Sequence, residues 1–147
     1  MRPKAVARVA ALITLASWGC APCEPSQVEE QVSPDGAIHA AKYRRECGPM
    51  APFDARVALR RSTTDGWSEV AKLRETPYTL DLAWVSHRKL RVTLECPHDT
   101  RDGCLPYPER GWLVKLKPRW RDVSIEYALG PKLAMWGGPD LLSRLTN

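Results

Sequence analysis

The sequence predicts an all-β fold, a small antiparallel meander or sandwich of about six to seven strands, closed by a short helical or irregular tail. Three observations carry this. From Leu80 to Cys96 the chain reads LDLAWVSHRKLRVTLEC, where Leu80, Leu82 and Trp84, then Leu90, Val92 and Leu94, recur at every second position around a polar break. Successive strand side chains point to opposite faces, so this is a hairpin with one buried face. The alternation returns near the end, at Trp112, Val114 and Leu116 and at Val123, Ile125 and Tyr127. Turn signals punctuate the chain throughout, and no long helical period precedes residue 130.

The chain's 147 residues suit one domain. Residues 1–19 have the layout of an export signal: Arg2 and Lys4, then the apolar run VAALITLA, then the small residues Ser17 and Gly19. That run falls well short of the roughly 20 residues that span a bilayer. Gly19-Cys20 resembles the lipobox of bacterial lipoproteins, which implies an acylated Cys20 and anchoring in the cell envelope. Ala21 lacks the Asp-type retention signal, so the outer membrane, facing the periplasm, is the expected destination. The alternative is a secreted or soluble periplasmic protein. Residues 20–32 would then be the lipidated cysteine and a flexible tether, because Ala21 to Ser33 is polar and has no periodic apolar face.

The all-β domain is expected over 33–129. Ser33-Pro34-Asp35-Gly36 is a tight turn, since proline presets one backbone angle and glycine accepts positive φ. A first strand over 37–46 follows, with Ala37, His39, Ala41 and Tyr43 on one face. Residues 55–61 alternate Val57 and Leu59 against Arg56, Arg60 and Arg61. Residues 67–73 are a weaker strand, because Val70 and Leu73 are out of phase. The 80–96 hairpin comes next, then strands over 111–117 and 122–128. The tail, 130–147, offers one or two helical turns around DLLSRL with Pro139 at the first position.

Two pieces together, S-P-D-G followed after a strand by Arg45, Cys47 and Gly48, and the closing Val123-x-Ile125-x-Tyr127, resemble a family of small bacterial proteins that are often lipoproteins. The resemblance would cover roughly residues 32 to 128, a one-domain reach. It implies a fold and no activity. A single S-P-D-G turn does not make a propeller, which needs several repeats.

An exported chain sits where disulfides persist. With Cys20 acylated, Cys23, Cys47, Cys96 and Cys104 remain and allow three pairings. Cys96 with Cys104 would close a short turn-rich loop, and Cys23 with Cys47 would staple the tether to the first strand; Cys47 with Cys96, leaving Cys23 free, is the alternative. Cys96, His98, Asp99 and Cys104 match no zinc spacing, so no metal site and no cofactor is expected. A catalytic set drawn from Ser86, Glu95, His98, Asp99 and Asp102 is one that any chain of this size offers, and no hydrolase, nucleotide or metalloprotease motif occurs. The expectation is therefore a non-catalytic binding or structural module. The alternative is an exported enzyme or metal-binding protein using the loop from Cys96 to Pro108.

The formal charge is +5, and a chain beginning at Cys20 loses Arg2, Lys4 and Arg8 and keeps +2. That is too little to argue for nucleic acid. Arg60, Arg61, Arg88, Lys89, Arg91, Lys115 and Lys117 are the candidates for one basic sheet face that could meet an anionic envelope lipid or an envelope protein. Interspersed acids, Glu46, Glu69, Glu95 and Glu126, make a solvated face the competing expectation.

Overall fold

The computed structural model describes residues 23, 25–46, 54–74, 78–101, 113–137 and 140–146. The expected class holds: two packed β-sheets with short helices at the C-terminal end. Strands β1 (Pro25–Val32), β2 (His39–Arg45), β3 (Asp54–Arg60), β4 (Ser68–Arg74) and β7 (Leu113–Leu116) form one sheet in the order β1-β2-β3-β4-β7. Strands β5 (Thr79–Ser86), β6 (Lys89–Glu95), β8 (Arg119–Trp120) and β9 (Val123–Leu129) form the second, in the order β5-β6-β9-β8. Helices α1 (Pro131–Gly137) and α2 (Asp140–Thr146) follow.

The hairpin is the core of the second sheet. Leu80 opposes Leu94, Leu82 opposes Val92 and Trp84 opposes Leu90, so all six apolar residues share one face. Leu90, Val92 and Leu94 are fully buried against Val57, Leu59, Val70 and Leu73 of the facing sheet. Tyr127 on β9 ties the two layers. Its hydroxyl lies 3.1 Å from the Val70 carbonyl and 2.9 Å from the Lys117 carbonyl, and burial raises its pKa. Gln31 makes a second tie, donating to the Leu82 carbonyl at 3.0 Å.

Several elements depart from the expectation, each for a physical reason. The flexible tether is corrected at Pro25–Val32, which is strand β1, paired antiparallel with β2. It escaped notice because an edge strand with one face solvated needs no apolar alternation; Val28 and Val32 are exposed. At β2 the core face is the opposite one: Ala40, and Ile38 just before the strand, are in the core, while His39, Ala41 and Tyr43 face outward. On β4 the register steps from Val57↔Ala71 to Ala58↔Glu69, so Val70 is an extra, bulged residue. That bulge is why Val70, Ala71 and Leu73 can all be buried without keeping strict phase. Pairing is antiparallel except between β6 and β9, which run parallel. Parallel neighbours need a long crossover, and here the chain leaves β6, visits the first sheet as β7, and returns through β8.

The tail begins a helix sooner than Pro139. Pro131 is its first residue, where its missing N–H costs nothing, and the Ala134 amide bonds the Gly130 carbonyl at 2.9 Å. Leu133 and Leu141 plug the end of the core. At Gly137 an added Cβ would lie 2.6 Å from Leu141 Cδ2, so glycine lets the two helices approach. The expected core positions Trp112 and Val114 cannot be compared, since Trp112 and the Val114 side chain lie outside what is described.

Candidate binding surface

Four turns, β1–β2, β3–β4, β5–β6 and β8–β9, meet at one end of the molecule, and there they form an ion-pair cluster. Ser33 is buried and accepts the Ile38 amide at 3.0 Å. Its hydroxyl donates to Asp35 at 2.6 Å. Gly36, at φ 72°, closes the turn by donating to the Ser33 carbonyl at 2.8 Å. Arg88, from the β5–β6 turn of the other sheet, reaches Asp35 at 2.7 Å and Asp122 at 2.8 Å. Arg61 completes the set on Asp122 at 2.8 Å. Four turns from two sheets are thus joined by two arginines and two aspartates. The Ser33 hydroxyl, the Ala37 amide and Arg88 together hold the Asp35 carboxyl down at about 2. Arg61, with Arg88, lowers that of Asp122.

The outward face of the five-stranded sheet is built differently. Ala41 and Ala58 are cross-strand partners on this face, yet both are buried, because larger neighbours stand over them. Tyr43, Trp67 and Val28 supply apolar walls for a groove of about 410 Å³ that runs from Cys23 and Pro25 past Ala41 toward Arg60. Arg60 lies 4.1 Å over the Trp67 ring and binds Glu30 at 3.1 Å. His39, on the same carboxylate, and Arg60 lower the Glu30 pKa. Arg45, at the opposite end of the groove, is half-buried and makes no ion pair among the described residues.

Beside the groove, Arg56 binds Asp54 at 2.7 Å and Glu69 at 2.6 Å. Burial opposes its charge, but the two carboxylates outweigh that and raise its pKa. A smaller cleft of about 110 Å³ opens between the sheets near Lys42, Arg44 and Tyr78, where burial pushes the Tyr78 phenol to about 12.

The single basic face is corrected. Arg60 is on the outward face of the first sheet, whereas Arg61 and Arg88 belong to the turn cluster. Lys89 and Arg91 are on the second sheet and share Glu126, whose pKa Lys89 lowers first and Arg91 further. Lys115 is exposed on the edge strand β7, and the Lys117 amide bonds the Val70 carbonyl. The strands do not pair in sequence order throughout, so the seven cations are dispersed, and Glu30, Asp122, Asp35 and Glu126 answer most of them. Glu69 and Glu126 are interspersed as the solvated-face expectation held. Glu95 instead lies against Gly130, where an added Cβ would collide with it.

Cys23 and Cys96 each take part in a disulfide. Cys20, Cys47, Cys104 and Asp102 lie outside the described residues. A bonded Cys96 has no thiolate to offer a metal. Lys132 of α1 binds Asp99 at 2.8 Å and the His98 carbonyl at 3.1 Å, which fastens the start of that loop to the helix and lowers the Asp99 pKa. Among the described residues no group of three His, Cys, Asp or Glu side chains could hold a metal ion, and no helix is long and apolar enough to cross a membrane. Ser86 ends β5 opposite Lys89 at the start of β6, whereas His98 and Asp99 follow the other end of β6, so Ser86 is not brought to His98 and Asp99. The sequence places Tyr43 and Arg45 on or beside the first strand without marking them as a site, because the outward phase of β2 is ambiguous where Ala40 and Ala41 are both apolar, and Trp67, just before β4, carries no pattern of its own.

Comparison with protein-family models, curated proteins and solved structures returns no match.

Proposed function

We propose that this chain is an exported, lipid-anchored envelope protein whose domain works by binding rather than by catalysis. The observation that carries the binding reading is the outward groove. An apolar body would lie on Ala41 between Tyr43 and Trp67, and an anionic group would meet Arg45. Sites of this kind, mostly apolar with a few placed polar groups, hold small amphipathic ligands. The export signal and Cys20 support the anchor.

The disulfide pairing in this reading is Cys23–Cys47 and Cys96–Cys104. The β1–β2 register supports the first: Pro25 opposes Arg45, and Cys23 and Cys47 each stand two positions past that pair in the sequence. Intact mass of the mature protein before and after reduction tests anchor and bridges together. Acyl mass on Cys20 and a gain of four protons on reduction are expected. An unmodified cysteine would remove the anchor.

Anilinonaphthalene sulfonate, an aromatic body bearing one anion, probes the groove. Its fluorescence should rise on binding, and the rise should be lost in Trp67→Ala and weakened several-fold in Arg45→Gln, a loss of one charge-assisted contact. Equal binding by both variants and the native chain would sink the groove reading.

A further inference from the structure

The outward face of the five-stranded sheet carries a second feature, which adjoins the groove and shares Pro25, Tyr43 and Arg45 with its end. Register places Tyr43, Arg56, Lys72 and Lys115 side by side across four strands. The next row toward the strand ends is Pro25, Arg45, Asp54 and Arg74. Five cations therefore share this patch with two carboxylates, Asp54 and Glu69, both held by Arg56. Lys72 only shares Asp54, at 3.8 Å. Like charges set directly opposite on neighbouring strands destabilise a sheet, so Lys72 facing Lys115 is a cost that packing does not explain. Arg45, Arg74 and Lys115 have no acidic partner among the described residues, and Arg74 and Lys115 are exposed.

The position of this patch matters as much as its charge. It lies at the end where β1 begins, opposite the self-neutralised turn cluster. Helix α1 follows β9 at that same end and leaves Met135 71% exposed. Because β1 starts at Pro25, few residues separate Cys20 from the sheet. Cys20 is three residues from Cys23, and three residues span at most about 11 Å. A lipid on Cys20 holds this end, and no other, within reach of the bilayer surface.

We infer that the strand-end patch of Arg45, Lys72, Arg74 and Lys115 docks the domain onto the anionic headgroups of the membrane that holds Cys20. The orientation rests on the anchor proposed above; the headgroup contact does not. The cations meet lipid phosphates, Met135 enters the interface, and the turn cluster points away from the membrane.

The test uses the full chain with Cys20→Ser, sedimented with vesicles of neutral phosphatidylcholine or of the same lipid with a third phosphatidylglycerol. Binding to the anionic vesicles alone is expected, and it should fall with added salt. Arg74→Glu/Lys115→Glu, which leaves every groove residue in place, should lower partition by about tenfold or more. Arg91→Glu/Arg119→Glu, on the other sheet, should not. Equal binding to neutral vesicles, salt-insensitive binding, or the same loss in both double variants would overturn the docking surface. Intact mass of the native protein judges the anchor separately. Lipid without anionic binding removes the docking alone, and anionic binding without lipid removes the anchor alone.

Discussion

Asp35 accepts from the Ser33 hydroxyl and the Ala37 amide, and Arg88 reaches it from the other sheet. One carboxylate therefore shapes a turn and joins two layers. Its pKa is depressed from 3.8 to about 2, so the folded state binds its proton less readily than the unfolded chain. The stabilisation is present above about pH 4 and is lost as pH falls through about 2. Acid unfolding followed by circular dichroism should therefore steepen between those values in the native protein, and Asp35→Asn should flatten that limb. An unchanged acid limb in Asp35→Asn would show that the clasp contributes nothing. The turn itself was legible, because proline, aspartate and glycine at those positions leave few backbone choices. The long-range partner was not. Fifty-three residues separate Asp35 from Arg88, and no local pattern marks an arginine as the other half of a clasp.

At the scale of elements, alternation located the hairpin, β3 and β9 almost to the residue, since each turns one apolar face to the core. Where burial is incomplete or the register slips, the signal fades. Strand β1 is polar on an edge, and β4 is broken in phase by Val70. Helix α1 opens on Gly130-Pro131, which reads equally well as a stop. The tie from β9 to β4 has a measurable weight. Tyr127→Phe keeps the ring and removes the donor to the Val70 and Lys117 carbonyls. Urea unfolding should show a loss of about 1 kcal/mol with no change in slope. A neutral result would mean that the hydroxyl adds nothing to what the packing of the ring supplies.

For the molecule as a whole, the class was legible and the arrangement of its surfaces was not. Charge along a strand reveals which residues face water, but which strands become neighbours depends on the crossover through β7 and β8. Arg60, Arg88 and Lys89 read as one basic set in sequence and end on three different surfaces. Lys115 gains meaning only once β7 pairs with β4 and faces Lys72. The groove was equally hidden, since Ala41, on which it lies, has no pattern of its own.

The parallel pairing of β6 with β9 also sets an order of events. Strand β6 is central in its sheet, yet one of its two neighbours is the last strand of the chain. A chain delivered N-terminus first can form the β1–β4 sheet and the β5–β6 hairpin early, because those contacts are local. The second sheet cannot close until residues 123–129 arrive, and until then β6 presents an open edge beside an apolar face. That interval is when the chain is most exposed to mispairing and to capture by other chains.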